Sequence, residues 1–152
     1  MKSINLDECV SLDEAFEKYK SMWGPQLNPR NSQLMECVKE CKSVMELGVH
    51  QGLSIMTLIM ANKDLETVIG VDIDLDKWHK KMDGLVLDWI KQGNTEVIMH
   101  ECDSTDPKCA AEVDMLHIDS LHHPNHLRKE LDLHAKNVKK YIMFFFFFST
   151  IN

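Results

Sequence analysis

Apolar positions near the start of the chain recur at helical spacing, at Leu12, Phe16, Tyr19 and Trp23. Ser11 and Glu14 stand where a capping box would open that helix. Gly24-Pro25 closes it and Asn28-Pro29 prolongs the break. A second helix is predicted from about Ser32 to Lys42, with Leu34, Cys37, Val38 and Cys41 on one side. From there the pattern alternates. Short apolar runs at Ser43–Val49, Thr67–Asp72, Glu96–Glu101, Val113–Asp119 and Lys140–Phe148 read as strands. Between them lie predicted helices at about Gly52–Asn62, Asp76–Gln92, Asp106–Glu112 and Pro124–Val138. Strands alternating with helices imply right-handed βαβ units and a parallel sheet covered on both faces, an α/β fold of the doubly wound kind. No internal repeat or linker interrupts the pattern. We divide it into a helical extension, residues 1–42, and a nucleotide-binding unit, residues 43–152, within one structural domain.

The segment richest in chemistry is Glu46-Leu47-Gly48-Val49-His50-Gln51-Gly52, a strand that ends in a glycine turn and opens a helix. Gly48 suits a tight turn, and Gly52 suits close approach of backbone to a ligand. Asp72 ends the next strand, where an acid accepts hydrogen bonds from ribose hydroxyls. Turn and acid together point to a nucleotide; a plain βαβ unit with a surface aspartate is the competing reading. A dinucleotide fingerprint needs glycine at 48, 50 and 53, but the chain has His50 and Leu53, which disfavours a nicotinamide-dependent oxidoreductase.

Glu46-Leu-Gly48-x-x-x-Gly52 resembles the first motif of class I S-adenosylmethionine-dependent methyltransferases, which share a Rossmann-like fold. Asp72 matches their ribose-binding acid, and Asp103 with Ser104 matches the position that contacts adenine. Val113–His122 resembles the fourth motif of a cephalosporin-hydroxylase-like subgroup, with Glu130 or Asp132 as its mid-helix acid. The resemblance implies a sheet of order 3-2-1-4-5 and S-adenosylmethionine as cofactor. It makes Glu46, Gly48 and Gly52 contacts of the methionine side. It also sets Asp119 and His122 beside the transferred methyl group, with His122 as general base. Asp119 would orient that base or bind a divalent metal such as Mg.

The resemblance weakens at the fifth strand. Relatives carry roughly Phe-His-Asp-Thr there, whereas this chain has phenylalanine at 145 to 147 and ends at Asn152. Two further strands of the family are missing, and we read the sequence as truncated, with its activity in doubt. The leading expectation is methyl transfer to a small-molecule acceptor, at oxygen. The alternative is a degenerate, non-catalytic domain that binds the cofactor or a partner.

Composition changes this picture little. A net charge of -7 argues against a nucleic-acid partner, and Lys136, Lys139 and Lys140 sit near a helix end, where the dipole favours cations. The opening MKSINLDECV has no secretory pattern, and five cysteines is an odd number, so a cytoplasmic setting with reduced thiols is expected. The apolar run at 141–148 is too short to span a bilayer as a helix. No C-x-x-C pair supports a zinc site among His100, Cys102, Cys109, His122, His123 and His126. Self-association into a homo-oligomer stays open.

Overall fold

The apolar runs pair as one parallel, five-stranded sheet in the order β3-β2-β1-β4-β5, as the resemblance implies. The structure is a computed structural model, and it describes residues 8–22, 29–93 and 95–144. The strands are β1 (Ser43–Leu47), β2 (Thr67–Asp72), β3 (Glu96–Glu101), β4 (Val113–Ile118) and β5 (Val138–Phe144). The helices are α1 (Leu12–Ser21), α2 (Pro29–Val38), α3 (Leu53–Ala61), α4 (Asp76–Lys81), α5 (Asp83–Ile90) and α6 (Pro124–His134).

Alternation along the central strands sorts side chains to the two faces. Val44, Val68 and Met115 join α1 to α5 in one core, with Leu12, Phe16, Leu34, Val38, Ile55 and Trp78. Met45, Leu47, Ile69, Val71, Leu116 and Ile118 form the other, against Leu127 and Leu131 of α6. Val113 belongs to the second core and Met115 to the first, although they lie two residues apart. Beside them the pairing is irregular, with Val138 opposite Val113 and Tyr141 opposite Met115, so the extra residue lies in β5. Each fully buried large side chain in these layers contributes roughly 1.5–3 kcal/mol.

The N-terminal capping expectation holds with one change. Ser11 Oγ accepts from the N–H of Glu14 at 3.2 Å, while the Glu14 carboxylate accepts from Val10 at 2.9 Å. α2 begins at Pro29, not Ser32, because proline has no N–H to lose in a first helical turn. The helix expected over Asp76–Gln92 is split at Met82, whose side chain is wholly buried and whose φ is -116°, with Gly84 just beyond. Asp106–Glu112 yields a single 3-10 turn, Pro107–Cys109, in which Asp106 accepts from the N–H of Lys108. β5 starts at Val138 rather than Lys140, since a 3-10 turn at Ala135–Asn137 ends α6 early. Trp23 and the expected continuation of β5 over 145–148 lie outside the described residues. At the β5 edge, Ile142 and Phe144 are exposed.

Candidate functional site

All five strands being parallel, their C-terminal ends share one edge, and β1 beside β4 is where the strand order reverses. A cavity of about 460 Å³ opens there. The turn after β1 forms its floor. Gly48 has φ +88° and donates its N–H to Val71 O at 2.8 Å. A Cβ at Gly48 would lie 2.5 Å from the backbone oxygen of Asp119, so only glycine lets the two strand ends approach this closely. His50 follows with φ +51°, a left-handed conformation uncommon outside glycine.

Asp72 at the end of β2 holds that turn in place. Its Oδ2 accepts from the N–H of His50 at 2.8 Å and its Oδ1 from that of Asp74 at 3.1 Å. Each oxygen keeps a second lone pair for a ligand. Beyond β3, Asp103 Oδ1 accepts from the hydroxyl of Thr105 at 2.7 Å and from its N–H at 2.8 Å. These two bonds, the hydroxyl's first, hold the Asp103 carboxyl below the usual range. Gly48, Asp72, Asp103, Ser104 and Asp119 all line the cavity. So do Ile73 and Leu121, apolar side chains that are 74% and 64% exposed.

Three expected residues stand elsewhere. Glu46 does not line the cavity; it is wholly buried beside β4, paired in register with His117. Gly52 is left-handed, at φ +79°, but the space beside it is filled by protein. A Cβ there would lie 2.4 Å from the Trp78 ring, so the close approach expected of a ligand is made by α4 instead. His122 sits beyond the cavity with its side chain 43% exposed, and its Nε2 is 3.7 Å from Asp119 Oδ1.

Two groupings at this edge were not read from the sequence, although Glu130 and Ser104 were each named there as candidates. One is a polar cluster behind Ser104. Glu130 of α6 is fully buried, and its Oε1 accepts from the hydroxyls of Ser104 and Ser120, each at 2.5 Å. His126 Nε2 lies 3.0 Å from Ser104 Oγ and 3.3 Å from the same Glu130 oxygen. His134 Nε2 lies 2.8 Å from Ser104 O, where only an N–H can serve, so that ring nitrogen is the donor. The spacing 126, 130, 134 on one helix face was a visible signal for this cluster. The other group is Arg30 of α2, ion-paired with Asp119. Nothing in the sequence near Arg30 marks it.

Two of the buried cysteines are held in the thiol form. Burial and the adjoining Cys102 thiol push the Cys109 thiol up to about 12, and burial pushes Cys41 up to about 11. Among the described residues, no group of three or more histidine, cysteine, aspartate or glutamate side chains could hold a metal ion. No described helix is long and apolar enough to cross a membrane.

Comparison with known proteins bears on this site as a whole. Several solved structures share the fold. The SAH-bound methyltransferase PaMTH1 of Podospora anserina superposes with a TM-score of 0.58 at 15% identity, over 88% of this chain and 60% of its own. An O-methyltransferase family protein from Burkholderia thailandensis gives 0.56 at 15%, over 84% of this chain and 39% of its own. The O-methyltransferase TomG of Streptomyces achromogenes, in complex with SAM, gives 0.50 at 17%, over 86% and 63%. The chain thus spans less than two thirds of the length of these structures. No curated protein matches the sequence significantly. A family model described as a methyltransferase domain matches residues 45–142, well over half of the 152. The chain belongs to that methyltransferase family, on the class I, S-adenosylmethionine-dependent fold.

Proposed function

We propose that the chain binds S-adenosylmethionine in the cavity at the strand ends and transfers its methyl group to a small-molecule acceptor, at oxygen. The observation that carries this reading is the pairing of Gly48 with Asp72. A turn only glycine can make opens onto the cavity, and a carboxylate at the next strand end faces the same space. The residues present fit the cofactor. Asp72 would take the ribose hydroxyls, and Asp103 with Ser104 the edge of the base. Ile73 and Leu121 are exposed apolar side chains on the cavity wall, suited to the two faces of a flat ring. Gly48 and Asp119 would border the methionine side, with Glu46 and Gly52 acting from beneath as supports of the turn.

When bound, the cofactor supplies an electrophilic methyl group, and the protein's part is alignment and proton removal. His122 takes the acceptor's proton, and Asp119 holds the imidazole toward it across 3.7 Å. General-base help of this kind contributes about 10²–10⁴ in rate. A divalent metal does not fit. The Asp119 carboxylate is already paired with a guanidinium, and among the described residues no group of three or more histidine, cysteine, aspartate or glutamate side chains gathers there.

Calorimetric titration with S-adenosylmethionine, S-adenosylhomocysteine and NAD tests the binding reading, and turnover against a panel of hydroxylated acceptors tests the chemistry. Adenosyl ligands should bind and NAD only weakly. Tight NAD binding with no response to the adenosyl ligands would overturn the assignment. Cofactor binding without turnover on any acceptor would leave a binding-only domain.

A further inference from the structure

Asp119 follows β4 at the position where the family resemblance offers either a partner for the base or a divalent-cation ligand, and the fold brings its own cation there. Arg30 Nη2, from the first turn of α2, donates to Asp119 Oδ2. The two side chains are only 19% and 21% exposed. The same guanidinium nitrogen lies 3.5 Å from His117 Nε2, a long contact. His117 Nδ1 is 2.7 Å from Glu46 Oε1. Arginine has donors and no acceptor, so the Nε2 that faces it is the unprotonated side of the ring. The Nδ1–H then donates to Glu46. On the outer side, Asp119 Oδ1 faces His122 Nε2 at 3.7 Å. One carboxylate oxygen is therefore turned to Arg30 and the other to His122.

We propose that Arg30 takes the place of a metal ion at this strand end. Its fixed charge holds the Asp119 carboxylate with Oδ1 toward His122, so proton removal requires no divalent cation. Arg30 is not among the residues that line the cavity, and it is a positioning residue. The inference rests on the methyl-transfer reading for its consequence in turnover, but its physical content is separate. Calcium takes six to eight oxygen ligands, and magnesium, although it keeps several of its waters, still needs a carboxylate whose charge is not already neutralised by a cation. Here an incoming dication would meet one carboxylate and a like-charged guanidinium in a partly desolvated site, where repulsion is screened little. The guanidinium instead matches a carboxylate in shape and keeps a set direction, which a mobile lysine or a hydrated ion does less well.

The test uses the full chain with manganese alone, followed by the EPR signal of the free ion. No stoichiometric binding is expected in the unaltered protein, and a one-to-one site abolished by Asp119→Asn would overturn the proposal. The second arm records the imidazole carbon and proton resonances of His117 and His122. Arg30→Gln should move both sets, because both rings are set through the guanidinium, whereas Arg30→Lys should move them less. Unmoved resonances in Arg30→Gln, or equal displacement in the glutamine and lysine variants, would reduce Arg30 to a packing residue. In turnover, Arg30→Gln should lose on the order of 10²-fold or less, Arg30→Lys should recover part of it, and a chelator should change nothing. Titration with S-adenosylhomocysteine separates the two ideas: absence of binding sinks the methyltransferase reading, while the manganese and resonance arms still judge Arg30.

Discussion

His117 Nδ1 and Glu46 Oε1 lie 2.7 Å apart with both side chains sealed from solvent, a polar pair bridging β1 and β4 beneath the cavity. Burial pushes the Glu46 carboxyl upward, against the opposing pull of the His117 hydrogen bond. Its second oxygen, Oε2, is buried without a hydrogen-bond partner among the described residues. From just above the ordinary carboxylate range up to its raised value, the folded chain retains a proton that the unfolded chain releases. This group's contribution is therefore full at low pH and is lost as pH rises through the folded value. Glu46→Gln keeps an acceptor for His117 and removes the charge. Its stability relative to the parent should improve steadily with rising pH across that window, measured by urea unfolding at a series of pH values. A variant whose deficit grows with pH would show that the charged pair stabilises the fold.

Gly48→Ala should be costly for a reason independent of chemistry. The φ of +88° strains any residue with a side chain, by about 1–3 kcal/mol, and the added carbon meets immovable backbone of Asp119 and Ser120. Thermal unfolding and S-adenosylhomocysteine titration should both deteriorate. If either is unchanged, the turn after β1 is looser than its geometry implies.

Asp72 carries two loads, and substitutions can separate them. Asp72→Ala removes a ligand acceptor and the bonds to His50 and Asp74. Cofactor affinity should fall by about 1.5–3 kcal/mol, with a smaller loss of stability. Asp72→Asn keeps one oxygen for the turn and should be milder in both. Calorimetry paired with melting curves checks this, and undiminished affinity alongside a lowered melting point would make Asp72 purely structural.

Glu130 organises the wall behind Ser104, so its loss should be felt twice. Glu130→Leu removes the acceptor that the Ser104 and Ser120 hydroxyls share, at about 1–3 kcal/mol in all, since His126 still faces Ser104 and Ser120 borders the open cavity. Glu130→Gln should recover much of that. Because Ser104 and Ser120 face the cavity, ligand affinity should follow the same order. Equal stability of the leucine and glutamine variants in urea would count against the cluster's importance.

What was legible in the sequence was legible because it is local. Apolar periodicity set the order of strands and helices, and the spacing of Gly48, Gly52 and Asp72 marked the turn and the acid at consecutive strand ends. Turn chemistry depends on neighbouring φ and ψ, so residue type alone revealed it. The purpose of Gly52 was not legible, since that depends on which side chain occupies the space beside it, and Trp78 does so from another helix.

The rest of the site is made through space. Arg30 is separated from Asp119 by 89 positions and from His117 by 87, and Glu46 from His117 by 71. Only when the sheet sets β1 against β4, with Glu46 opposite His117, do these groups meet. No periodicity records such a meeting, because it follows from how layers stack rather than from how the chain runs. The sequence alone determined that a nucleotide-type turn and an acid would share one sheet edge. The tertiary structure decided which buried charges stand beneath them, and that the cation beside Asp119 is an arginine.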